Sequence, residues 1–275
     1  MTLFTTEARS YVPETPGYFP TSDGIPLYGV YHCPELACAP SKPATVIAPA
    51  LFEERKSAYA ALTALARQLC QQGHAVLRFD FRGSGESGGT PEARRWAHLA
   101  VDFDAACTAL KKLSGAEQVA AVGLRLGGTL VLQAAANLKL SKAAALAPVI
   151  NGAAQVRLWK MRSRIRAELT AGALDSAVHA QPAAHIDFDG FHVGQDFFAE
   201  VAALDLTQLH ALPCPSLLVQ LSHRTAPAPE STALARTLGS SCHLAALRME
   251  PFWDRLDDVD LRALHEAVVR FLITE

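Results

Sequence analysis

The sequence predicts an α/β fold with a mainly parallel sheet and helices on both of its faces. Short apolar segments alternate with longer segments whose apolar residues recur at helical spacing. The short segments are apolar at nearly every position, which is typical of strands buried on both faces of a parallel sheet. A glycine-rich turn at residues 123–128 joins one of these strands directly to a helix. Together these three observations indicate a layered α/β domain.

The predicted elements follow one another in a regular order. Strands are predicted at residues 44–50, 75–80, 119–122, 143–149, 215–221 and 243–248. Helices are predicted at residues 57–72, 96–113, 129–138, 155–169 and 257–272. The first helix should stop at Gly73, because glycine commonly ends a helix. Parallel strands need long crossover connections, and the helices between the strands supply them.

The turn Gly123-Leu124-Arg125-Leu126-Gly127-Gly128 has the frame of a nucleophile elbow, with an arginine where the nucleophile belongs. Its glycines allow a sharp backbone bend and a close approach of the helix to the sheet. A serine or cysteine at that position attacks a carbonyl group. A guanidinium, with a pKa above about 12, offers no lone pair at physiological pH. We therefore expect a strained Arg125 and no nucleophile at the elbow.

A second motif, Asp80-Phe81-Arg82-Gly83-Ser84-Gly85-Glu86-Ser87, matches the Asp-x-Arg-Gly-x-Gly-x-Ser turn of the α/β-hydrolases. Because the elbow follows at the family's spacing, the chain resembles an α/β-hydrolase from about Tyr18 onward. The resemblance implies an α/β-hydrolase fold with a helical cap insertion over the site. The expected division is a first part of the core at 1–150, the cap at 151–212 and a second part of the core at 213–275.

The resemblance also implies where an acid and a histidine would complete a catalytic triad. The acid should follow the strand at 215–221, but residues 222–227 contain no carboxylate and Glu230 begins a helix. The histidine should follow the strand at 243–248, but residues 250–254 contain none. A seryl nucleophile needs both partners. We therefore expect the Ser-His-Asp triad to be absent.

A narrower resemblance is to the exosortase A system-associated hydrolase 2 family, which is similar in its arginine elbow. Three further stretches carry it: Pro49–Ser57, Pro148–Gly152 with the arginine-rich helix that follows, and Glu250–Trp253. This resemblance implies a bacterial protein encoded near exopolysaccharide and protein-sorting functions. The family name describes the fold and implies no catalytic assignment.

The expected ligand site surrounds Arg125. The helix after the elbow offers N–H groups and a positive dipole end at Leu126. A buried guanidinium needs a partner. The candidates are Glu53, Glu54, Asp254, or a carboxylate or phosphate of a ligand. The predicted ligand-binding residues are Arg125, Leu126, Leu51, Phe52, Glu53, Glu54, His223, Phe252, Trp253 and Asp254.

The residues around Arg125 are compatible with three functions. The leading hypothesis is a non-hydrolytic protein that binds a small anionic or acyl molecule under the cap. An alternative is an active esterase, thioesterase or acyl transferase, in which Arg125 orients an anionic substrate and water attacks. A third is a structural partner in a polysaccharide or sorting assembly, which a filled pocket and a salt-bridged Arg125 would favour.

Composition narrows the classes of partner. The chain has 275 residues, 50% of them hydrophobic, and a net charge of −2, so it carries no nucleic-acid signature. Its six cysteines are scattered without CxxC pairs, which is typical of reduced thiols in the cytoplasm. No signal peptide or transmembrane segment is expected, and no cofactor is indicated.

Three groups of residues have both a structural and a functional interpretation. The helix at 155–169 carries five cations. We expect them mainly to form a solvated face of the helix; the alternative is a basic rim that attracts an anionic ligand or a lipid headgroup. The cations are Arg157, Lys160, Arg162, Arg164 and Arg166. His185, Asp187 and Asp189 alternate, so on a strand they would share one face, and His192 follows closely. Their spacing matches no strong metal pattern, so we expect a solvent-facing strand of the cap and no metal site. Ser84 and Ser87 are expected to have turn and capping roles.

Overall fold

An eight-stranded sheet forms the centre of the molecule in the computed structural model, which describes residues 13–34, 44–171, 185–188, 190–224, 226–255, 257 and 259–274. Along the sheet the order is β1-β2-β4-β3-β5-β6-β9-β10. The strands are β1 (Glu14–Pro20), β2 (Pro26–His32), β3 (Ala44–Ala48), β4 (Val76–Phe79), β5 (Val119–Leu124), β6 (Ala143–Leu146), β9 (Ser216–Ser222) and β10 (Cys242–Arg248).

Six of these strands are parallel to one another, from β4 to β10, and β1 and β2 add an antiparallel edge. Every residue of β3, β4, β5 and β6 is buried. This burial explains why the sequence of these strands is almost continuously apolar. The six parallel strands are those predicted from the sequence, whereas β1 and β2 were not predicted. Most of β1 is exposed, and Gly29 and His32 interrupt the apolar residues of β2.

Helices cover both faces of the sheet, as predicted. On one face α1 and α7 pack over a core that includes Leu65, Leu69 and Val268. On the other face α2, α3 and the cap insertion pack over Phe103, Leu130 and their neighbours. The helices are α1 (Phe52–Gln71), α2 (Trp96–Ser114), α3 (Leu126–Ala134), α4 (Gly152–Ala171), α5 (Gln195–Ala202), α6 (Pro229–Leu238) and α7 (Arg262–Ile273).

Helix α1 begins five residues before the predicted start at Ser57. Its first turn is polar, with Glu53 and Glu54, so helical apolar spacing is not visible there. Carboxylates near a helix N-terminus are favourable, because they oppose the positive end of the dipole. Helix α7 instead begins at Arg262, five residues after the predicted start.

The insertion between β6 and β9 is not purely helical. After α4 it contains an antiparallel pair, β7 (His185–Phe188) and β8 (Phe191–Gly194), followed by α5. The strand expected around His185 is present as β7, whereas its partner β8 was not predicted, so helices are only part of this insertion. The side chains of His185 and Asp187, and the whole of Asp189, lie outside the described residues.

The turn after β4 is held by charged and polar side chains. Ser87 Oγ donates to the Asp80 carbonyl oxygen at 2.6 Å and accepts from the Tyr28 N–H at 2.8 Å. Arg94 Nη2 donates to Ser84 Oγ at 2.7 Å. Both serines therefore have the structural roles expected from the sequence. None of the five described cysteines forms a disulfide, and burial raises the pKa of Cys107 to about 12.

The pH dependence of stability should include a contribution from His32. Its buried Nε2 accepts from Arg78 Nε at 3.1 Å, and burial, followed by repulsion from Arg78, lowers its pKa from 6.5 to about 4. Because the folded state binds this proton less tightly, stability should fall as the pH drops from 6.5 towards 4. In His32→Gln, which keeps an acceptor but cannot titrate, this part of the pH dependence of the melting temperature should vanish. Equal pH profiles for both proteins would contradict the assignment.

Candidate functional site

Arg125 occupies the sharp turn between β5 and α3. Its φ of 55° lies in the left-handed region, which a residue with a side chain adopts only under strain. The neighbouring glycines make the turn possible. A Cβ added to Gly123 would lie 2.3 Å from the Gly127 carbonyl oxygen, and one added to Gly127 would lie 2.4 Å from that of Pro49. The sequence therefore folds here as an elbow that presents an arginine.

Each nitrogen of the Arg125 guanidinium donates a hydrogen bond. Nε donates to Glu54 Oε1 at 3.3 Å, Nη1 to the Ala147 carbonyl oxygen at 2.8 Å, and Nη2 to Gln155 Oε1 at 2.7 Å. The guanidinium also lies over the Trp253 ring, with Cζ 4.9 Å from the ring centre. Four separate elements therefore fix this side chain in one position.

Glu54 is the carboxylate partner of Arg125, one of the three that the sequence suggested. The two side chains are 9% and 13% exposed, so the ion pair is largely buried. Burial raises the pKa of Glu54, and the nearby Asp254 acts in the same direction, while Arg125 opposes both. The desolvation of the carboxylate thus outweighs the attraction of the guanidinium, as is common for buried pairs.

The two other carboxylates near the elbow have different partners. Asp254 accepts from both Nη1 and Nη2 of Arg162, each at 2.9 Å. Glu53 lies 3.0 Å from Nζ of Lys56, and both of these side chains are exposed by more than 40%. The carboxylates around the site are therefore matched with cations pair by pair.

A cavity of about 420 Å³ opens beside this network, between α1, α4, β7 and the turn at 252–254. Most of its wall is aliphatic or aromatic. Its lining residues are Leu51, Phe52, Glu53, Glu54, Ser57, Trp159, Arg162, Ile165, Phe188, Trp253 and Asp254. This volume and composition suit a small organic molecule with a substantial apolar part.

Phe52 organises the apolar wall of the cavity. Its ring is edge-on to those of Trp159 and Phe188, with centres 5.6 and 5.5 Å apart. Its backbone has a φ of 56°, and Ala147, which accepts from Arg125, has a φ of 42°. Including Arg125, three non-glycine residues at this site adopt left-handed conformations. Such strain costs of order 1–3 kcal/mol per residue and is concentrated at functional sites.

Arg125 itself borders a smaller cavity of about 200 Å³ on the other side of the network. This cavity is also lined by Gln155, Asn151 and Glu230. Gln155 Nε2 is buried and has no hydrogen-bond partner among the described residues. Glu54 and Trp253 contact Arg125 and also line the larger cavity, so they lie between the guanidinium and that space.

The structure places the nine predicted site residues other than Arg125 in three environments. The larger cavity is lined by Leu51, Phe52, Glu53, Glu54, Trp253 and Asp254. Leu126 and Phe252 are buried in the hydrophobic cores on either side of the sheet. His223 is 76% exposed and lies 3.3 Å from Glu250, so it faces solvent and does not line the cavity.

Three residues of α4 complete the site and were missed as a group. Gln155, Trp159 and Arg162 lie at positions i, i+4 and i+7, which share one face of a helix. The amide oxygen of Gln155 accepts from Arg125, Trp159 forms part of the cavity wall, and Arg162 donates to Asp254. The sequence contains this spacing, but the cations on the same helix suggested a solvated or basic face instead of a shared ligand site.

The described residues show neither a metal site nor a membrane-spanning helix. They contain no group of three or more histidine, cysteine, aspartate or glutamate side chains arranged to hold a metal ion. They also contain no helix with the length and apolar character needed to cross a bilayer.

Comparison with known proteins identifies the broad family. The sequence model of the serine aminopeptidase S33 family, a group of α/β-hydrolases, matches residues 51–209. This range includes the elbow, α4 and most of the cavity wall. No curated protein sequence matches the chain.

Several solved structures have the same fold. Est1E from Butyrivibrio proteoclasticus, bound to ferulic acid, is 20% identical, with a TM-score of 0.68 over 94% of this chain and 98% of that chain. The Pyrococcus furiosus esterase Pf2001 is 16% identical, with a TM-score of 0.65 over 95% and 91%. The α/β-hydrolase GrgF from Penicillium sp. sh18 is 18% identical, with a TM-score of 0.65 over 95% and 98%.

Proposed function

The chain belongs to the serine aminopeptidase S33 family of the α/β-hydrolases, and we propose that it binds a small acyl molecule without hydrolysing it. The observation that carries the proposal is the fixed Arg125 guanidinium beside an aromatic cavity of about 420 Å³. The residue at the elbow is in the position of a nucleophile but has none of its chemistry.

The charges around the cavity support an acyl ligand over an anionic one. Glu54 is paired with Arg125, and Asp254 with Arg162. An anion bound to Arg125 from the larger cavity would have to displace the buried Glu54, at a high desolvation cost. An alkyl or aromatic chain needs only the apolar wall, which it would bury against Phe52 and Trp159.

The contacts of Arg125 also bear on the structural alternative. A purely structural protein would combine a salt-bridged Arg125 with a filled pocket. The salt bridge to Glu54 is present, but the adjoining cavity is open and large enough for a ligand. The geometry therefore favours binding over a purely structural role.

An active hydrolase is the second candidate, because the similar solved structures include esterases. In that case water would attack the substrate, and Glu54 would be the group placed to accept its proton. Glu54 lines the cavity, and burial raises its pKa towards the range of a general base. Its engagement with Arg125 Nε makes this the weaker candidate.

We further propose that the protein acts in the bacterial cytoplasm alongside exopolysaccharide or protein-sorting functions and has a protein partner from those systems. The resemblance to the exosortase A system-associated hydrolase 2 family supports this assignment. Residues from its characteristic stretches meet in space, since Glu54 and Trp253 both contact Arg125. Such a cluster is expected when the stretches serve one site.

The purified protein should show no serine-hydrolase activity. Because Arg125 replaces the nucleophile, a fluorophosphonate probe should label no serine, and p-nitrophenyl esters should turn over only at the background rate. Labelling is read by mass spectrometry, with an active esterase as the positive control. Stoichiometric labelling of any serine would overturn the non-hydrolytic assignment.

Restoring a serine should not restore catalysis. In Arg125→Ser the new hydroxyl would face a turn that supplies Phe252, Trp253 and Asp254 where a histidine is required. An unactivated hydroxyl is a poor nucleophile, so hydrolysis of p-nitrophenyl acetate should stay at background. Circular dichroism checks that the variant is folded. Clear turnover by the folded variant would mean that another residue serves as the base.

A further inference from the structure

The outer face of α4 combines exposed cations with exposed apolar side chains. Met161 and Ile165 are 52% and 49% exposed and lie next to each other on this face, so they form a small exposed apolar patch. They lie beside Arg157, Lys160 and Arg164, all of them exposed. A helix that buries one side against a domain normally presents a polar surface on the other. This outer face is instead both basic and apolar.

The spacing places these side chains in two adjoining stripes. Arg157, Lys160 and Arg164 are at i, i+3 and i+7, on one side of the outer face, and Met161 and Ile165 are one turn apart beside them. The helix carries a single acidic residue, Glu168, which is exposed on the same face four residues after Arg164, so the three cations leave this face with a net positive charge. A surface of this kind favours an interface where anionic headgroups adjoin apolar chains.

The same helix borders the opening of the larger cavity. Ile165 and Arg162 contribute to the cavity lining, and both are also exposed on the surface of α4. A molecule lying against the outer face would therefore contact the rim of the cavity. An anionic bilayer surface matches the positive charge and can accept the two apolar side chains.

We propose that α4 docks the protein on the surface of a membrane containing anionic lipids. The three cations of the stripe bind headgroup phosphates and carboxylates, while Met161 and Ile165 enter the boundary with the acyl chains. The docked helix holds the mouth of the cavity at the bilayer surface, where acyl molecules are concentrated. Docking itself does not require that the cavity be occupied.

Co-sedimentation of the full chain with vesicles tests this proposal. The protein should bind vesicles of phosphatidylcholine mixed with phosphatidylserine, should bind phosphatidylcholine alone weakly, and should be released by high salt. Replacing Arg157, Lys160 and Arg164 together by glutamine should weaken partitioning about a hundredfold. Met161→Ser combined with Ile165→Ser should weaken it without changing the net charge.

The matched control removes three exposed cations elsewhere. The triple variant Lys111→Gln, Lys112→Gln and Arg236→Gln has the same net charge and should bind as the parent does. Melting temperatures equal to that of the parent show that each variant is folded. Absence of binding to the anionic vesicles, or equal loss in both triple variants, would overturn the proposal. Binding of the acyl probe, measured without vesicles, tests the cavity separately. A failure of membrane docking can therefore be distinguished from a failure of acyl binding.

Discussion

Glu54→Ala should lower the stability of the protein by about 3–5 kcal/mol, because it leaves the Arg125 guanidinium buried without its carboxylate. For a chain of this size the melting temperature should fall by an amount on the order of 10 °C. An added small anion should recover part of the loss. The measurement is thermal unfolding followed by circular dichroism at neutral pH.

Two alanine variants from the same neighbourhood provide controls. Glu53→Ala and Asp254→Ala remove carboxylates that pair with more exposed cations, so each should cost no more than about 1 kcal/mol. Arg125→Ala combined with Glu54→Ala should be less destabilised than Glu54→Ala alone, since no charge is then stranded. Similar shifts for Glu54→Ala and Glu53→Ala would contradict the pairing.

Ser57→Trp should abolish most of the binding of an acyl probe. Ser57 lines the larger cavity, and an indole there would occupy the space of several methylene groups. Each buried methylene contributes about 0.8 kcal/mol, so the affinity for methyl decanoate should fall roughly a hundredfold. Isothermal titration calorimetry measures this affinity without relying on tryptophan fluorescence.

Ala60→Trp is the matched control for this experiment. Ala60 lies on the same helix but is exposed and does not line the cavity. The Ala60→Trp variant should bind the probe as the parent does. If Ser57→Trp and Ala60→Trp bind equally well, the ligand lies elsewhere.

The charge of the ligand is tested by comparing decanoate with its methyl ester. If the parent protein binds decanoate more tightly than methyl decanoate, the ligand is anionic.

Local patterns in the sequence were enough to predict the fold. The apolar strands β3 to β6 and the elbow glycines are constrained by burial and close backbone contact, and both leave clear signals. The edge strand β1 is largely exposed, its neighbour β2 contains a glycine and a histidine, and β8 is only four residues long. Local patterns did not reveal these three strands, whereas the alternation around His185 did indicate β7.

The site was predicted less completely, because its contacts join distant segments. The sequence suggested three carboxylates for Arg125, but only packing decides that Glu54 reaches it while Asp254 binds Arg162. The amide of Gln155 gave no signal as a partner, since it comes from the cap insertion. His223 was predicted to bind the ligand because it follows β9, but the loop turns its side chain to solvent.

The central claim, that the protein binds an acyl molecule in this cavity and leaves it intact, is tested most directly by equilibrium dialysis against methyl decanoate. Mass spectrometry then identifies the bound material and any products. We predict one intact ester per protein chain, no accumulation of decanoate or methanol above the buffer control, and roughly a hundredfold weaker binding by Ser57→Trp. Accumulation of decanoate and methanol, or the same amount of bound ester in Ser57→Trp, would contradict the account.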